Sequence, residues 1–404
     1  SQLAGAGGGS AARVVDIGGT TTDIVYLDEE GCPQLNPEGA KIGEHRTLVK
    51  TIDVYTFGLG GDSRVSPRDR YGAISVGPKR VKSICSDAFE NSAVSCQLAS
   101  VSEEKSTVTS EPLIVHSGSV CGAADEFEEN ILIAVQDEPK IIDDLIEEKR
   151  ISRLAMARID DMEGRGLISL SGFTPTDALH VLGRLSRWDA EASKTAAAII
   201  TQRCEPIVSF CEDVCRTVVH DISLNLLRKS FLRAGRPLKR EGEAENLISD
   251  ALYGKDIIGP ALSMRLDGVI VGAGAPAWAF INEVGASLNT KALLPEHAEV
   301  AGAVGAAVGR FVLKYDVLIA PLKTGLFRAH LPSGVKDFDS VDSAVEYSTD
   351  FMLKWMSERS EKAGAPRADI KFERCDEVVS AGGGHKIYMW SHLIFSAGAR
   401  ALGV

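Results

Sequence analysis

Residues 13–27 read RVVDIGGTTTDIVYL, and this stretch decides the fold class. Two short apolar runs, at 13–17 and 24–27, flank a segment of glycines and threonines. The sequence DEEG at 28–31 closes the second run as a turn. Apolar runs joined by a glycine-containing turn are typical of a β-hairpin. We therefore predict a hairpin with a tip rich in Gly and Thr.

The tip of this hairpin has residue types suited to binding phosphate. Its two glycines let backbone N–H groups approach a phosphate chain without a Cβ clash. The three threonine hydroxyls that follow add further donors. Asp16 and Asp23 flank the tip as carboxylates for Mg²⁺, bound directly or through water, or for orienting a nucleophile. The alternative is a plain glycine-containing turn without a ligand.

A second glycine-rich turn lies late in the chain. Residues 268–271 (GVIV) have the pattern of a buried strand, 272–277 (GAGAPA) that of a turn, and 278–288 that of a helix. The adenine and ribose of a nucleotide could lie against the backbone of such a turn, although strand-to-helix turns with glycine are also common. The Walker A pattern is absent from the sequence, and neither turn has the G-x-G-x-x-G of a Rossmann dinucleotide site.

Composition places the chain among ordinary globular proteins. Of its 404 residues, 44% are hydrophobic and 25% charged, which excludes a mainly disordered or collagen-like chain. The mean hydropathy is +0.01, and no apolar run approaches the roughly 18–20 residues of a membrane span. Lys and Arg number 44 against 56 Asp and Glu, for a net charge of −12. We therefore expect neither a membrane nor a nucleic-acid partner.

The 8 cysteines are dispersed along the chain, and no secretory signal precedes them. This pattern argues against a disulfide framework and predicts a cytoplasmic protein. Cys211 and Cys215 lie one helical turn apart, as the start of a metal site or as two small, partly buried residues. The second interpretation is favoured because no further Cys/His pair has zinc-like spacing. The chain begins with Ser rather than Met, as expected of a processed end, a vector remnant or a fragment boundary.

Helical patterns dominate the middle of the chain. Residues 125–165 combine dense charge with apolar residues at helical spacing, and 189–233 are almost wholly helical in pattern. Residues 174–177 (TPTD) have the residue types of a helix start. Residues 86–111 are polar and Ser-rich, which predicts an exposed loop. Helices are also expected at 297–312 and, before the C-terminus, at 343–363.

These patterns predict three regions. Residues 1–85 and 260–330 form an α/β lobe that carries the two glycine-rich turns. Residues 86–259 form a largely helical insertion or second lobe, and 331–404 form a C-terminal helical segment.

Six blocks of the sequence, in this order, resemble one known family. They are Val15–Asp23 (VDIGGTTTD), Gly58–Arg64 (GLGGDSR), Val76–Pro78 (VGP), Phe173–Ala178 (FTPTDA), Val271–Pro276 (VGAGAP) and Pro295–Val300 (PEHAEV). Together they resemble the A-type, ATP-binding subunit of the hydantoinase/oxoprolinase family. The resemblance implies the α/β fold of the actin-like ATPases, whose ribonuclease-H-like lobes have mixed sheets and flanking helices and close on ATP.

The resemblance also implies ATP and Mg²⁺ as cofactors and assigns roles to residues. The implied ATP contacts are Gly18, Gly19, Thr20, Thr21 and Thr22 at the phosphates, and Gly272, Ala273, Gly274, Ala275 and Pro276 at the adenosine. Asp16, Asp23 and Asp62 are the predicted catalytic residues, with Asp16 as the metal ligand. Asp62 and Arg64 are predicted to face the substrate, the alternative being a salt bridge in a surface turn.

The reaction implied is the ATP-dependent opening of a cyclic amide of the hydantoin or 5-oxoproline type. Phosphorylating the amide oxygen turns it into a good leaving group, so that water can attack. Two alternatives stay open: an ATP-dependent carboxylase subunit of the acetone or acetophenone type, and a non-catalytic ATP-binding partner subunit. A B-type subunit or a second copy of the chain is the expected protein partner.

The sequence departs from the family pattern in two places. Full-length members carry an earlier lobe with its own Asp-Gly-Gly-Thr turn, whereas this sequence has one such turn, at 16–23. We therefore expect that the preceding lobe is missing and that turnover needs a partner lobe or subunit. Gly302 stands where the pattern usually has Asn.

Overall fold

The computed structural model describes most of the chain and divides it into two compact units, residues 1–300 and 301–404. The described residues are 12–28, 31, 33–36, 41–42, 45–46, 51–101, 113–118, 122–148, 156–202, 204–253, 262–308, 310–363, 365, 368–381 and 385–400. Each unit combines helices with a β-sheet. The predicted α/β class, with mixed sheets and flanking helices, is confirmed.

A five-stranded mixed sheet lies at the centre of the first unit. Its strands in spatial order are β15 (Lys291–Leu293), β14 (Val269–Ala273), β1 (Ala12–Ile17), β2 (Thr22–Tyr26) and β7 (Val54–Phe57). β1 runs parallel to β14 and antiparallel to β2, so the predicted hairpin is confirmed. Its apolar side chains alternate into the core, where Val15, Ile17 and Ile24 are fully buried.

Helices build the core beside this sheet. They are α1 (Ile84–Glu90), α2 (Ser92–Ser100), α6 (Pro175–Val181), α7 (Ala190–Ile200), α8 (Ile207–Arg233), α9 (Glu243–Tyr253) and α10 (Ala277–Ser287). In α8 an i, i+4 stripe from Phe210 to Leu226 is buried, as its spacing predicts. None of the described helices, the 27 residues of α8 included, is long and apolar enough to cross a membrane.

A smaller sheet of the first unit has a core of its own. Its strands in spatial order are β10 (Lys82–Ser83), β13 (Ile168–Gly172), β11 (Ile114–Ser117) and β12 (Lys140–Ile141). The predicted helices of 125–165 are present as α3 (Glu126–Ala134), α4 (Ile142–Glu147) and α5 (Met156–Gly164). Ile131, Leu145 and Ile159 join these helices to the sheet and are fully buried. The region 86–259 therefore contains a sheet as well as helices.

Short strands complete the first unit. They are β3 (Leu35–Asn36), β4 (Lys41–Ile42), β5 (His45–Arg46), β6 (Thr51–Ile52), β8 (Ser63–Ser66) and β9 (Ser75–Arg80). β8 and β9 pair antiparallel. β8 begins at the end of the segment 58–64 (GLGGDSR), which we call the second glycine block and which is distinct from the turn at 272–276.

The second unit is an antiparallel sheet with one long helix. The strands in spatial order are β18 (Gly334–Phe338), β17 (Leu326–Leu331), β16 (Arg310–Lys323), β20 (His385–Arg400) and β19 (Asp369–Ala381). Its helices are α11 (Ala301–Val308) and α12 (Val341–Lys362). Met352 and Met356 of α12 share a buried cluster with Val317 and Phe395 of the sheet.

The structure places the division between regions elsewhere than the sequence pattern does. The predicted boundary at residue 330 falls inside β17, and β16 pairs with β20 from Arg310 to Ile319. Residues 310–330 therefore belong with 331–404 in one sheet unit, of which α12 is the long helix. Pairing between strands that are 70 or more residues apart leaves no local signal in the sequence.

One local prediction was wrong, and a second was confirmed except at its C-terminal end. The predicted loop at 86–111 contains α1 and α2, because Val94 and Leu98, four residues apart, form a buried helix face among the serines. The remaining positions of that loop, 102–111, lie outside the described residues. The predicted helix at 297–312 is a 3-10 turn at Ala298–Val300 followed by α11, and strand β16 begins at Arg310.

Candidate functional site

The tip of the first hairpin connects β1 to β2. Within it the N–H of Gly18 donates to the carbonyl of Thr21, at 2.9 Å. Asp16 pairs with Asp23 across the hairpin, so the two carboxylates leave the sheet on the same face. The N–H groups of residues 19–21 have no acceptor within the described part of the chain. The tip thus presents three successive free backbone donors.

The second glycine block, at 58–64, packs directly on this tip. The N–H of Gly61 donates to the carbonyl of Gly18 at 3.0 Å, and the N–H of Asp62 donates to that of Gly19 at 2.8 Å. A Cβ on Gly60 would lie 2.4 Å from both of these carbonyl oxygens, so no larger residue fits there. These contacts occupy the carbonyls of Gly18 and Gly19 and do not use the N–H groups of residues 19–21.

The turn after β14 reaches the same place from the neighbouring strand. Gly274 has φ of +91°, and its N–H donates to the carbonyl of Ala298 at 2.8 Å. A Cβ built on Gly274 would lie 2.0 Å from the carbonyl oxygen of Ile17 and 2.6 Å from Oδ1 of Asp16. The sequence-predicted turn at 272–276 therefore touches the end of β1, because β14 lies parallel and adjacent to it. We call the segments 16–23, 58–62 and 272–276 the hairpin site.

The threonines of the tip differ in what their side chains face. Thr20 is exposed, and Thr21 is half-buried. Thr22 is fully buried, and its Oγ1 donates to the carbonyl of Leu59 at 2.7 Å. The Thr22 hydroxyl therefore fastens the tip to the second glycine block, whereas the Thr20 hydroxyl is open to a ligand.

Asp16 is the carboxylate at the centre of the hairpin site. Its side chain is exposed, yet partial desolvation by the surrounding protein and the nearby negative charge of Asp23 both raise its pKa. Asp23 Oδ1 accepts a hydrogen bond from the hydroxyl of Thr56. Repulsion between two carboxylates on one face would be relieved by a cation placed between them.

The donor set fits Mg²⁺ only in part. Among the described residues, no three His, Cys, Asp or Glu side chains converge on one point. Mg²⁺ commonly keeps several waters and binds through one or two carboxylates together with substrate phosphates. Asp16 and Asp23 match that pattern, so Mg²⁺ at this position would depend on a phosphate ligand for the rest of its coordination.

Asp62 has an ion-pair partner that sequence reasoning missed. Arg80, at the end of β9, donates to Asp62 Oδ2 from Nη2 at 3.1 Å and from Nε at 3.3 Å. The predicted companion Arg64 is half-buried on β8, where its charge acts on Glu163. Arg80 lies two residues after the noted block at 76–78, but only the pairing of β8 with β9 brings it to Asp62.

The start of α6 is hydrogen-bonded to the second glycine block through Thr176. Thr176 donates to the carbonyl of Gly61 from its Oγ1 at 2.8 Å and from its N–H at 3.1 Å. Asp177, in the next position, is fully buried and forms a capping box with Thr174, which confirms the predicted helix start. The block at 173–178 therefore positions the hairpin site without facing it.

A buried polar network surrounds Asp177 and extends to Asp87 on α1. Asp177 accepts hydrogen bonds from Thr174, Ser193 and the N–H groups at the start of α1, whereas its burial raises its pKa. Burial also disfavours the charge of Asp87, but hydrogen bonds from His116, Ser171 and Lys82 outweigh it and lower its pKa to about 2. We call these two aspartates and their partners the buried polar network.

The two cysteines considered as the start of a metal site lie on a helix that is not part of the hairpin site. Cys211 and Cys215 are buried in α8, and burial raises the pKa of each thiol, to about 11 for Cys215. Both are therefore packing residues, as the favoured interpretation predicts. His297 is exposed, with Glu296 and Glu299 each 3.8 Å from its ring.

Comparison with known proteins gives a family match for part of the chain and similarity to distant solved structures. Residues 4–130 match the family model described as hydantoinase/oxoprolinase. The chain is similar to nucleotide-free acetone carboxylase, at 13% identity and a TM-score of 0.49, over 97% of this chain and 47% of that one. It is also similar to the ATP-dependent caprolactamase from Pseudomonas jessenii, at 13% identity and a TM-score of 0.42, over 99% of this chain and 48% of that one. The chain thus spans about half the length of each. No curated protein matches it in sequence.

Proposed function

We propose that the chain binds ATP at the hairpin site and uses it to open a cyclic amide. The match of residues 4–130 to the hydantoinase/oxoprolinase family model supports this proposal. The γ-phosphoryl group of ATP is transferred to the oxygen of an amide of the hydantoin or 5-oxoproline type, and ADP leaves. Water then adds to the activated carbon, the ring C–N bond breaks as the nitrogen takes up a proton, and a second water releases phosphate from the resulting acyl phosphate. The enzyme works in the cytoplasm with a B-type subunit or a second copy of the chain as partner.

The free N–H groups of residues 19–21 carry this proposal. Successive backbone donors at a glycine-containing turn form a concave anion site, which suits the phosphates of a nucleotide. The carbonyls of Gly18 and Gly19 already accept hydrogen bonds from the second glycine block, whereas the N–H groups of residues 19–21 are not used by it. The net charge of −12 does not oppose this, because the donors are local and fixed.

The other parts of the hairpin site complete the proposed roles. The exposed Thr20 hydroxyl adds a donor, and the turn at 272–276 offers its backbone to the adenosine. Asp16 and Asp23 hold Mg²⁺, which neutralises phosphate charge when it is bound. Asp62 orients the reacting group next to the tip, since its backbone is bonded to Gly19.

The first experiment measures binding of a non-hydrolysable ATP analogue with Mg²⁺ by calorimetry. Asp16→Asn should weaken binding at least tenfold, which corresponds to about 1.4 kcal/mol. Asp28→Asn is the matched control, because Asp28 is an exposed aspartate at the opposite end of the same hairpin. Equal affinity in wild type and Asp16→Asn, or no binding in wild type, would contradict the proposal.

Phosphate release then separates the reactions. Stimulation by hydantoin or 5-oxoproline supports amide opening, whereas stimulation by a ketone with bicarbonate supports the carboxylase alternative. Bound nucleotide without any release, with candidate partner subunits present, supports the non-catalytic alternative.

A further inference from the structure

A cavity of about 430 Å³ lies beside the hairpin site in the first unit. Its lining residues are Asp62, Arg80, Val81, Lys82, Ser83, Glu163, Ser169 and Leu170. The volume lies within the range of about 300–1,000 Å³ that small-molecule pockets usually have. Most of its lining is polar or charged, so it suits a small polar ring better than an apolar ligand.

The cavity and the hairpin site share Asp62, which is bonded to the hairpin tip. The Asp62 N–H is bonded to the Gly19 carbonyl at 2.8 Å, and a Cβ on Gly19 would lie 2.6 Å from Asp62 Oδ2. A molecule that contacts Asp62 from the cavity is therefore next to the tip. A phosphoryl group held on the tip would have a short path to it.

The Asp62–Arg80 pair presents an acceptor and a donor together. Both hydrogen bonds from Arg80 end on Oδ2 of Asp62, which within the described residues leaves Oδ1 as an acceptor. They use Nε and Nη2 of the guanidinium, so Nη1 keeps its N–H donors. Because both residues line the cavity, the pair can accept one hydrogen bond from a ligand and donate another to it.

We infer that the Asp62–Arg80 pair recognises the amide edge of a neutral cyclic amide bound in this cavity. A small ring fixes its amide in the cis form, so that the N–H and the C=O point out along one edge. The N–H would donate to Asp62, and the C=O would accept from Arg80. This inference rests on the proposed function and adds to it the position of the ring and the residues that select it.

The charges of the lining favour a neutral ring over one with a carboxylate. Lys82 is held by Asp87 at 2.9 Å and by Glu90 at 2.6 Å, and Arg80 is held by Asp62. Each lining cation among the described residues is thus already neutralised. Glu163 adds a further carboxyl, whose burial and proximity to Asp160 raise its pKa. A ring that carries a carboxylate would be repelled by the acidic groups, because both lining cations are already paired with other carboxylates.

Ligand-observed NMR titration of the full chain tests this without turnover. The probes are 2-pyrrolidone, hydantoin, N-methyl-2-pyrrolidone, which lacks the amide N–H, and 5-oxoproline, which carries a carboxylate. We expect 2-pyrrolidone and hydantoin to bind at least tenfold more tightly than the other two. Arg80→Gln and Asp62→Asn should each weaken binding of 2-pyrrolidone about tenfold.

Arg216→Gln is the matched control for Arg80→Gln. Arg216 pairs with Asp213, and its side chain is 60% exposed against 61% for Arg80, but it lies on α8 outside the cavity. The Arg216→Gln variant should bind 2-pyrrolidone with the affinity of the wild type. Circular dichroism of each variant verifies that the fold is retained.

The results separate this inference from the proposed function. Absence of 2-pyrrolidone binding in wild type, equal binding of its N-methyl form, tighter binding of 5-oxoproline, or unchanged binding in folded Arg80→Gln would each overturn the inference. None of these bears on ATP, whose binding is measured separately on the same samples. Loss of ATP binding with lactam selectivity retained would instead overturn the proposed function.

Discussion

The hairpin site and the buried polar network are built from the same residue types and differ in where their polar groups point. Both contain Asp and Thr, and Thr174 and Asp177 of the network come, like the hairpin site, from sequence blocks that carry the family resemblance. In the network, Asp177 is fully buried, and both of its oxygens accept hydrogen bonds. In the hairpin site, Asp16 and Thr20 are exposed, and the donors of residues 19–21 are unused by the described residues.

The difference separates a structural motif from a binding motif. A buried polar group destabilises the fold unless it is hydrogen-bonded, so the groups of the network must hydrogen-bond to one another. Exposed donors carry no such cost in the absence of a ligand, because water accepts their hydrogen bonds. We therefore expect substitutions in the network to reduce stability, and substitutions at the exposed groups of the hairpin site to reduce binding.

The largest effect is expected from Asp177→Ala. The change leaves the buried donors of Thr174, Ser193 and the start of α1 without their acceptor, so the free energy of unfolding should fall by about 4 kcal/mol. Urea denaturation followed by circular dichroism measures it. Asp16→Asn, an exposed aspartate in the same experiment, should change stability by no more than about 0.5 kcal/mol. Similar losses in both variants would abolish the distinction drawn here.

Gly274→Ala tests the close approach of two turns within the hairpin site. An alanine there must adopt φ of +91° and place its Cβ 2.0 Å from the Ile17 carbonyl oxygen, at a cost of about 3 kcal/mol. The displaced turn should also weaken binding of the ATP analogue at least tenfold.

Gly72→Ala is the control for Gly274→Ala. Gly72 has a similar φ of +82°, but a Cβ there meets nothing within 4 Å, so we expect a loss of only about 1 kcal/mol. Its nucleotide affinity should match that of wild type. If the two variants lose the same stability, backbone strain and not crowding explains Gly274.

A smaller effect is expected from the titration of Asp87. Its pKa of about 2 in the folded protein lies below the ordinary value of 3.8, so its ionised form stabilises the fold above that value. This contribution, about 2 kcal/mol, is lost as the pH falls through about 2. Urea denaturation between pH 2 and 6 should show a flatter pH dependence for Asp87→Asn than for wild type. Parallel curves would show that Asp87 is not held as a carboxylate.

Local patterns were enough to predict the elements around the site. The two apolar runs joined by a glycine-containing turn in 13–27 predict the hairpin, and the residue types of 174–177 predict the cap of α6. Both depend on neighbours within a few positions, and so both are legible in the sequence. The helix at 92–100 was not predicted, because only two of its residues are buried and the serines among them give the segment the composition of a loop.

Long-range pairing explains what could not be predicted. Arg80 reaches Asp62 because β9 folds back on β8, and residues 310–330 join the second unit because β16 pairs with β20. Similarly, nothing near Thr22 in sequence indicates that its hydroxyl is used by Leu59. Each of these contacts depends on which strands become neighbours, which is settled by the packing of whole elements.

The sequence by itself determined that a glycine- and threonine-rich tip joins two buried strands and that aspartates flank it, because hairpin formation and the absence of a Cβ are local properties. Only the tertiary structure decided which polar groups remain available to a ligand and which are hydrogen-bonded within the protein. That choice depends on segments 40 to 260 residues away, at 58–62 and 272–276, which occupy the carbonyls of the tip or crowd the end of β1 and leave its N–H groups free.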